Sequence, residues 1–367
     1  MLKKCLALAL ATLMIVSFAA CGSYGSTPAS SAAPAAPASS SAMQESSVPA
    51  TDAPDFSSFD EVKIKFAHWF GETHPQHIAI QKFQQLCAEK SGGKIVVEIY
   101  GNGQLGPEDT YIDSIKQGTV EMGATGTLMA RDVPGIAIAE MPFLFSSWEH
   151  AKGTLGGEIG MKITESMPEA CGMRTLAWTV NGFREVSSNK SVASLEDFKG
   201  LRLRVPNTPV YIKMFEALGV NPIAMPLTEV FTALEQKVAD GQDNPYATVR
   251  ASSFYEVQSY MLETRHMFSP IEWVINEKFY QGLPEEFRQI VDESIREAAD
   301  ENWKLSQEAD DTDKQWLIDQ GMEVTVPDNA MRQQLIDAQV TAGVYEWFYQ
   351  EYPGSEELEK EIRAWKG

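Results

Sequence analysis

The feature that most constrains the fold is an alternation of strand and helix patterns after residue 60. Apolar and polar residues alternate in residues 62–67 and 95–100, which predicts two strands. Residues 75–90 have apolar side chains at helical spacing, and a second helix is predicted at residues 107–117, where a proline opens the first turn. Strands and helices in this order predict an α/β fold.

One helical pattern is much longer than the others. It runs through residues 284–320 and is ended by Gly321. At about 1.5 Å per residue such a helix would be roughly 55 Å long, which exceeds one domain of this size. The body of the chain has about 310 residues, enough for two domains. We therefore expect the helix to span two domains.

The first twenty residues have the pattern of a secretory signal. Two lysines precede an uncharged apolar run at residues 5–20, shorter than the roughly 20 residues of a membrane span. Small residues directly before Cys21 are similar to a bacterial lipoprotein box. This pattern predicts a signal peptide at residues 1–20 and acylation of Cys21. An ordinary signal cut near Ala20, or an uncleaved N-terminal anchor, is the alternative.

Residues 21–59 are predicted to be a disordered tether. They are mostly Ser, Ala and Pro, and such a segment cannot bury enough apolar surface to offset its ordering entropy. A flexible coil of this length reaches roughly 30 Å. The expected location is therefore extracytoplasmic, with the body lipid-anchored to a membrane at a cell surface or in a periplasm. No further membrane-spanning run follows the signal.

Charge and cysteine content limit the partners. The chain has 30 Lys and Arg against 51 Asp and Glu, a formal net charge of −21, which argues against nucleic acid. The same charge opposes anionic ligands, so an anion site must be built locally from arginine. After the signal only Cys87 and Cys171 remain, without metal-ligand neighbours. Buried thiols are expected, and one disulfide is the alternative.

Motifs of common enzyme classes are missing. The sequence has no Gly-rich phosphate loop, no Gly-x-Ser-x-Gly elbow and no His-Glu-x-x-His. His74 and His77 lie near a helix start, but Pro75 separates them and no third ligand is close. No catalytic residue, cofactor or metal site is therefore predicted.

Arg204 is the most informative single residue. It alternates with apolar residues in the strand at 201–205, shares a face with Arg202 by period, and lies next to Pro206, which ends the strand. Ligands of open α/β sheets bind beyond the carboxyl ends of strands. A guanidinium there binds a carboxylate through two parallel hydrogen bonds. The alternative is an ion pair with a nearby acid.

Two further polar residues and three tryptophans are candidates for a site. Arg184 follows an apolar run, and Asn244 lies in a Gly/Asn/Pro turn that can direct an amide into a cleft. Trp69, Trp178 and Trp273 could form walls of a pocket, although a place in the core is expected for such residues.

Several segments together resemble the substrate-binding subunits of tripartite ATP-independent periplasmic (TRAP) transporters, the DctP family. The resemblance covers about residues 62–326. It is carried, in order, by residues 104–106 (Gln-Leu-Gly), 181–184 (Asn-Gly-Phe-Arg), 200–206 (Gly-Leu-Arg-Leu-Arg-Val-Pro), 240–245 (Asp-Gly-Gln-Asp-Asn-Pro) and 254–258 (Phe-Tyr-Glu-Val-Gln).

The resemblance implies a two-lobed, periplasmic-binding-protein-like (type II) fold. Two α/β lobes are joined by hinge strands, and a long helix packs along both. In this chain lobe I is expected at residues 60–181 plus 270–309, and lobe II at residues 182–269 plus 310–367.

The resemblance also assigns the carboxylate end of a ligand site. Arg204 matches the strand-end arginine that binds the ligand carboxylate in this family, and Arg184 matches a second arginine that helps. Asn244 matches an asparagine that contacts the same end of the ligand. Asp243 stands where the family usually has Glu, a departure that leaves Asn244 in place.

Two residues match other parts of the family's pocket. Glu108 matches a position that often faces ligand hydroxyls in sugar-acid binders. Trp69 lies in the first strand-to-helix loop, where sialic-acid binders usually have a small polar residue, so it argues against sialate. The expected ligand is a small organic carboxylate, a sugar acid such as a uronate, because an acid at position 108 repels a second carboxylate. A C4-dicarboxylate or 2-oxo acid is the alternative.

The implied partners are the ligand and the membrane permease subunits of a TRAP transporter, with a monomeric receptor. Closure of the two lobes would exclude water, and the closed form is what the permease would recognise. Two other classes remain as alternatives: a lipoprotein enzyme acting on sugar acids, with Glu108 or His68 as base near Arg204, and a sensory or adhesive lipoprotein.

Overall fold

The computed structural model describes residues 55–367, apart from the side chain at position 127. The predictions of a signal peptide, of acylation at Cys21 and of most of the tether concern residues 1–54 and lie outside the described residues. The prediction of disorder is wrong for the end of the tether, because Phe56 and Phe59 pack against Phe287 of the folded body. Within residues 55–367, no helix is both long and apolar enough to cross a membrane.

The strands belong to one mixed sheet. Its order is β2-β1-β3-β8-β4-β7-β5-β6, and β9 pairs separately with β8. The strands are β1 Val62–Ala67, β2 Ile95–Tyr100, β3 Met122–Thr125, β4 Met173–Ser188, β5 Arg202–Val205, β6 Asn221–Ala224, β7 Gly241–Asn244, β8 Tyr260–Asn276 and β9 Glu323–Thr325.

Helices alternate with most of the strands. Those of the described residues are α1 Pro75–Lys90, α2 Glu108–Gln117, α3 Trp148–Leu155, α4 Glu158–Thr164, α5 Met167–Cys171, α6 Pro209–Ala217, α7 Val230–Glu235, α8 Tyr246–Ala251, α9 Glu277–Gly282, α10 Glu285–Asp319, α11 Asn329–Thr341, α12 Val344–Glu351 and α13 Ser355–Ala364. Short 3-10 helices include Thr127–Arg131, Pro134–Glu140, Leu195–Phe198, Leu227–Glu229 and Phe254–Glu256.

Two groups of parallel strands give the sheet its two-lobed organisation. In the first group β1 pairs in parallel with β2 and β3, and in the second β5 pairs in parallel with β6 and β7. The long antiparallel strands β4 and β8 connect them: β3 pairs with one end of β8, and β7 pairs with one end of β4. The predicted α/β fold with hinge strands is therefore confirmed.

The connecting strands are irregular, and the long helix compensates for this. The pairing of β4 with β8 shifts register between Thr175 and Ala177, between Val180 and Gly182, and again after Arg184. Such bulges leave backbone groups without ladder partners. Side chains of α10 supply partners: Asn302 Oδ1 accepts from Val180 N at 2.8 Å, Ser306 Oγ donates to Val180 O at 3.2 Å, and Trp303 Nε1 donates to Trp178 O at 2.9 Å.

The helix α10 spans both groups, as its length predicts. It packs against α1, which follows the first group of strands, and against α8, which follows β7. Its buried side includes Phe287, Ile295 and Trp303, while acidic and amide side chains face solvent. Leu317, near its end, belongs to a separate apolar cluster with residues of α7 and α8. One amphipathic helix thus stabilises both ends of the molecule.

The predicted lobe boundaries stay a prediction. The C-terminal helix α13 packs against α4 and the Pro134–Glu140 helix, and the Trp365 ring stacks on His150 at 6.0 Å. Residues 310–367, expected in lobe II, therefore also contact segments expected in lobe I.

The two cysteines are free thiols. Cys87 is fully buried and Cys171 is partly buried, and no disulfide joins them. Burial raises the pKa of the Cys87 thiol to about 12, so it behaves as an apolar core residue. This outcome confirms the expected buried-thiol interpretation for Cys87 and excludes the disulfide alternative in this structure.

Candidate ligand-binding site

A cavity of about 760 Å³ lies at the carboxyl ends of the two parallel strand groups. Its size falls in the range of small-molecule sites. Loops after β1, β2, β5 and β6 line it, together with the middle of the connecting strands. All five predicted residues reach it: Trp69, Glu108, Arg184, Arg204 and Asn244.

Arg204 is buried and lacks a carboxylate partner among the described residues. It lies in β5, and its side chain is only 3% exposed. Nε and Nη2 both donate to the Met225 carbonyl oxygen, at 3.0 and 2.6 Å, and this fixes the guanidinium plane. Burial lowers the pKa of Arg204 to about 10, which still leaves it charged at neutral pH. A buried cation of this kind is stabilised by an anionic ligand.

The neighbouring Arg202 shows that the two arginines of β5 differ in role. Its side chain is exposed and donates to the Asp240 carboxylate at 2.8 Å. An ion pair with a nearby acid was the alternative for Arg204, but it is Arg202 that forms such a pair. The two arginines share a strand face, but Arg204 lines the cavity and Arg202 does not. The reason is that Arg202 lies at the start of the strand and Arg204 near its end.

Arg184 is held by Asp243. Its Nε donates to Asp243 Oδ2 at 2.6 Å, its Nη2 to the Asp243 carbonyl at 2.5 Å, and its Nη1 to Ser269 Oγ at 3.2 Å. The guanidinium also lies over the Tyr211 ring, 4.9 Å from its centroid. Burial opposes the charge of Arg184, but the attraction of Asp243 outweighs it and holds the pKa above its usual value. The shorter Asp at position 243 thus still reaches Arg184.

At the arginine end of the cavity, only one of the two guanidinium groups forms an ion pair among the described residues. Asp243 compensates Arg184, and His266 Nε2 lies 3.3 Å from the same carboxylate. Burial lowers the pKa of His266, so it adds no positive charge at neutral pH. Among the described residues no carboxylate forms an ion pair with Arg204, although the charge of Asp243 acts on it. A ligand with one carboxylate matches this end of the cavity.

Asn244 already forms a hydrogen bond within the protein. It is 3% exposed, and its Nδ2 donates to Gln242 Oε1 at 2.6 Å. Gln242 in turn donates to Ser187 Oγ at 2.8 Å. The hydrogen bonds orient the Asn244 amide at the cavity wall, close to the end of β7.

Glu108 lies at the start of α2, away from the arginine-bearing strands in the sheet. Its Oε1 accepts a hydrogen bond from Gly126 N at 2.6 Å. Burial, with a further contribution from the Glu140 charge, raises the pKa of Glu108 to about 8. At neutral pH this carboxyl is therefore mostly protonated and can both donate and accept hydrogen bonds. The expected repulsion of a second carboxylate by Glu108 is weaker than its residue type suggests.

The tryptophans divide between the cavity and the core. Trp69 lines the cavity, and its ring packs 4.8 Å from Phe70 and 6.2 Å from Tyr111. Trp178 and Trp273 are buried in the core, as expected. The Trp273 indole Nε1 donates to Gln76 Oε1 at 2.8 Å.

The histidines of α1 bind protein groups. His74 Nε2 lies 2.9 Å from Asn181 Oδ1 and 3.3 Å from Thr248 Oγ1, which links α1 to β4 and α8. His77 Nδ1 lies 3.1 Å from His68 Nε2. Burial lowers the pKa of His68 and His74 to about 3, so both rings are neutral. No cluster of three or more potential metal ligands occurs among residues 55–367.

The cavity residues that sequence reasoning missed include Glu140 and Tyr211. Glu140 is 5% exposed and lines the cavity, and the Tyr211 hydroxyl donates to its Oε1 at 2.7 Å. A single acid within the apolar run at residues 136–145 was the available signal for Glu140. Tyr211 had no local signal, because its partners Glu140 and Arg184 are distant in sequence.

Comparisons with known proteins identify the family. Residues 66–350 match the family model "Bacterial extracellular solute-binding protein, family 7", or DctP. The 2,3-diketo-L-gulonate-binding periplasmic protein of Escherichia coli is 35% identical over 265 residues, which cover 72% of this chain and 79% of that protein.

Solved structures agree with this assignment. A TRAP periplasmic solute-binding protein from Haemophilus influenzae with bound L-gulonate is 36% identical, with a TM-score of 0.78 over 82% of this chain and 98% of that one. A second, from Roseobacter denitrificans with bound L-galactonate, is 33% identical, with a TM-score of 0.75 over 82% and 99%. The chain belongs to the DctP family of TRAP solute-binding proteins, the bacterial extracellular solute-binding proteins of family 7.

Proposed function

We propose that the cavity binds a hydroxylated monocarboxylate, a sugar acid such as an aldonate or a uronate. The observation that carries this proposal is the buried, charged Arg204, which has no carboxylate partner among the described residues and faces the cavity. Glu108 supplies a hydroxyl-binding group elsewhere on the cavity wall. Family 7 members are solute receptors, and the relatives named above bind diketogulonate, L-gulonate and L-galactonate.

Binding follows from the geometry of the arginine end. One ligand carboxylate accepts hydrogen bonds from Arg204, whose plane the Met225 carbonyl fixes, and from the nearby Arg184. Charge-assisted hydrogen bonds of this kind are about twice as strong as neutral ones. Closing of the two lobes then removes water and strengthens these bonds. No bond of the ligand is made or broken.

The remaining parts of the proposal concern the location of the receptor in the cell and its partner. The receptor is secreted through the signal at residues 1–20, anchored by a lipid on Cys21 and tethered by residues 21–54. It acts as a monomer and delivers its ligand to the permease subunits of a TRAP transporter. Mass spectrometry of the N-terminal peptide from membranes tests the anchor, since a diacylated Cys21 is expected as the first residue.

Calorimetric titration of residues 55–367 with aldonates, uronates, C4-dicarboxylates and 2-oxo acids tests the ligand class. Arg204→Ala should abolish binding of the preferred acid. Arg202→Ala is the matched control, because Arg202 lies on the same strand, is exposed and pairs with Asp240. It should bind like the wild type.

A wild type that binds only C4-dicarboxylates or 2-oxo acids would replace the sugar-acid proposal with its alternative. Equal loss of binding in both arginine variants would contradict the role of Arg204. The recovered ligand is also examined by NMR after incubation, because chemical conversion would favour the enzyme alternative.

A further inference from the structure

Glu140 is an acid of the cavity wall that accepts a hydrogen bond from a tyrosine. It ends the Pro134–Glu140 helix, and its Oε1 accepts a hydrogen bond from the Tyr211 hydroxyl at 2.7 Å. Tyr211 lies on α6, directly beneath the Arg184 guanidinium. Glu140 therefore lies close to Tyr211, which donates a hydrogen bond to it, and to the Arg184 guanidinium, on which its charge acts.

Glu140 is also central to the cavity's electrostatics. Its charge acts on Arg184 near one end of the cavity and on Glu108 elsewhere on the wall. Glu108 itself is mostly neutral at pH 7. Asp109, Glu229 and Glu351 also line the cavity but are exposed to water, so Glu140 is the buried acid whose charge a bound ligand meets.

Beyond the arginine pair, the described cavity wall offers no free cation to a second carboxylate. Arg131, the other arginine lining the cavity, pairs with Asp113 at 2.9 Å and with Asp132 at 3.3 Å. A second ligand carboxylate would thus meet Glu140 and a compensated arginine. Ligand hydroxyls, in contrast, can donate to a carboxylate in charge-assisted hydrogen bonds.

We infer that Glu140, positioned by Tyr211, is the residue that makes this receptor prefer sugar acids with one carboxylate over those with two. The inference rests on the proposed function, since it concerns the same cavity and ligand class. Neither residue was singled out by the sequence motifs of the family.

Galactonate and galactarate are a matched pair of probes. They share one carbon skeleton, and galactarate has a second carboxylate in place of the C6 hydroxymethyl group. The wild type is expected to bind galactonate at least about tenfold more tightly, because like charges within a protein repel strongly. Calorimetric titration at fixed pH and salt gives both dissociation constants and their ratio.

Glu140→Gln keeps an oxygen that can accept from Tyr211 but removes the charge. It should reduce the galactonate preference by about five- to tenfold, mainly by tighter galactarate binding. Glu346→Gln, on the exposed side of α12 and outside the cavity, makes the same change in net charge and should leave the ratio unchanged. Glu108→Gln should weaken the binding of both ligands and change the ratio of their dissociation constants less than Glu140→Gln does.

Tyr211→Phe keeps the Glu140 charge but removes its orienting hydrogen bond. A smaller fall in the ratio, about threefold, is expected, and this variant decides the matter if Glu140→Gln does not fold. An unchanged ratio in the folded cavity variants, or an equal change in Glu346→Gln, would overturn the inference. Failure of the wild type to bind any sugar acid would instead overturn the proposed function.

Discussion

At the residue scale, Arg184 and Arg204 show how one residue type takes two states in one cavity. Both are buried, but Asp243 compensates Arg184, whereas Arg204 has, within the described part of the chain, only the Met225 carbonyl as hydrogen-bond acceptor. The sequence predicted both arginines as ligand-binding residues from motif and strand position. It did not predict the Arg184–Asp243 pair, because the partners lie on different strands, 59 positions apart.

Distance along the sequence also explains why the pair of Tyr211 and Glu140 was not predicted. The contact of Tyr211 with Glu140 joins positions 71 apart. Linear patterns report which face of one element is apolar, but they do not report which elements meet. The protonation state of Glu108 was equally hidden, since burial in the folded cavity causes its raised pKa.

Glu108 should make stability depend on pH. Its pKa rises from an ordinary value of 4.5 to about 8 on folding, so the folded state binds the additional proton. Stability is therefore lost as pH rises from about 5 to 8, and Glu108→Gln should remove this loss. Urea denaturation of the unliganded protein measures the free energy of unfolding at pH 5 and at pH 8. Between these pH values it should fall by about 1–3 kcal/mol more in the wild type than in the variant.

Exposed Glu346→Gln is again the control, since it should follow the wild type at both pH values. Parallel curves for wild type and Glu108→Gln would show that Glu108 ionises normally in the folded protein. In that case its carboxylate, and not only that of Glu140, would face the ligand.

At the scale of elements, local signals predicted the long helix but not the irregular pairing of the connecting strands. The predicted helix at 284–320 is observed as Glu285–Asp319, because its apolar spacing and terminal glycine are local signals. The C-terminal helices break at Gly343, which adopts a positive φ of 67° and separates α11 from α12. The irregular pairing of β4 with β8 had no signal in the sequence, because it depends on partners in α10.

Asn302 should contribute to stability through the backbone of β4. Asn302→Ala leaves the buried Val180 N–H without its acceptor, which costs about 1–3 kcal/mol of unfolding free energy. Urea denaturation measures this difference. Gln307→Ala, an exposed change on the same helix, should cost less than about 0.5 kcal/mol. Equal values for the two variants would mean that α10 does not support the bulged strand in this way.

At the scale of the whole molecule, loops from the two strand groups meet at the cavity. A Cβ atom at Gly103, after β2, would lie 2.9 Å from the Thr228 methyl group, after β6. Gly103 also has a positive φ of 70°. The sequence predicted two lobes from chain length and family resemblance, but this contact between the loops becomes visible only in the fold.

A larger side chain at Thr228 should hold the two loops apart. Thr228 is exposed, so Thr228→Phe should change the stability of the unliganded protein by less than about 0.5 kcal/mol. Because the ring would occupy the space against Gly103, we expect about tenfold weaker binding and a smaller ligand-induced decrease in the radius of gyration by X-ray scattering. Thr312→Phe, exposed on α10, is the control. Wild-type affinity and compaction in Thr228→Phe would show that this contact plays no part in closure.

We expect Arg204 to hold the single carboxylate of a sugar acid in this cavity. A crystal structure of residues 55–367 with the tightest-binding acid of the panel tests it most directly. The carboxylate is expected within hydrogen-bonding distance of the guanidinium groups of Arg204 and Arg184, with ligand hydroxyls facing Glu108 and Glu140. A carboxylate bound beside Glu108, or a ligand outside the cavity, would contradict it.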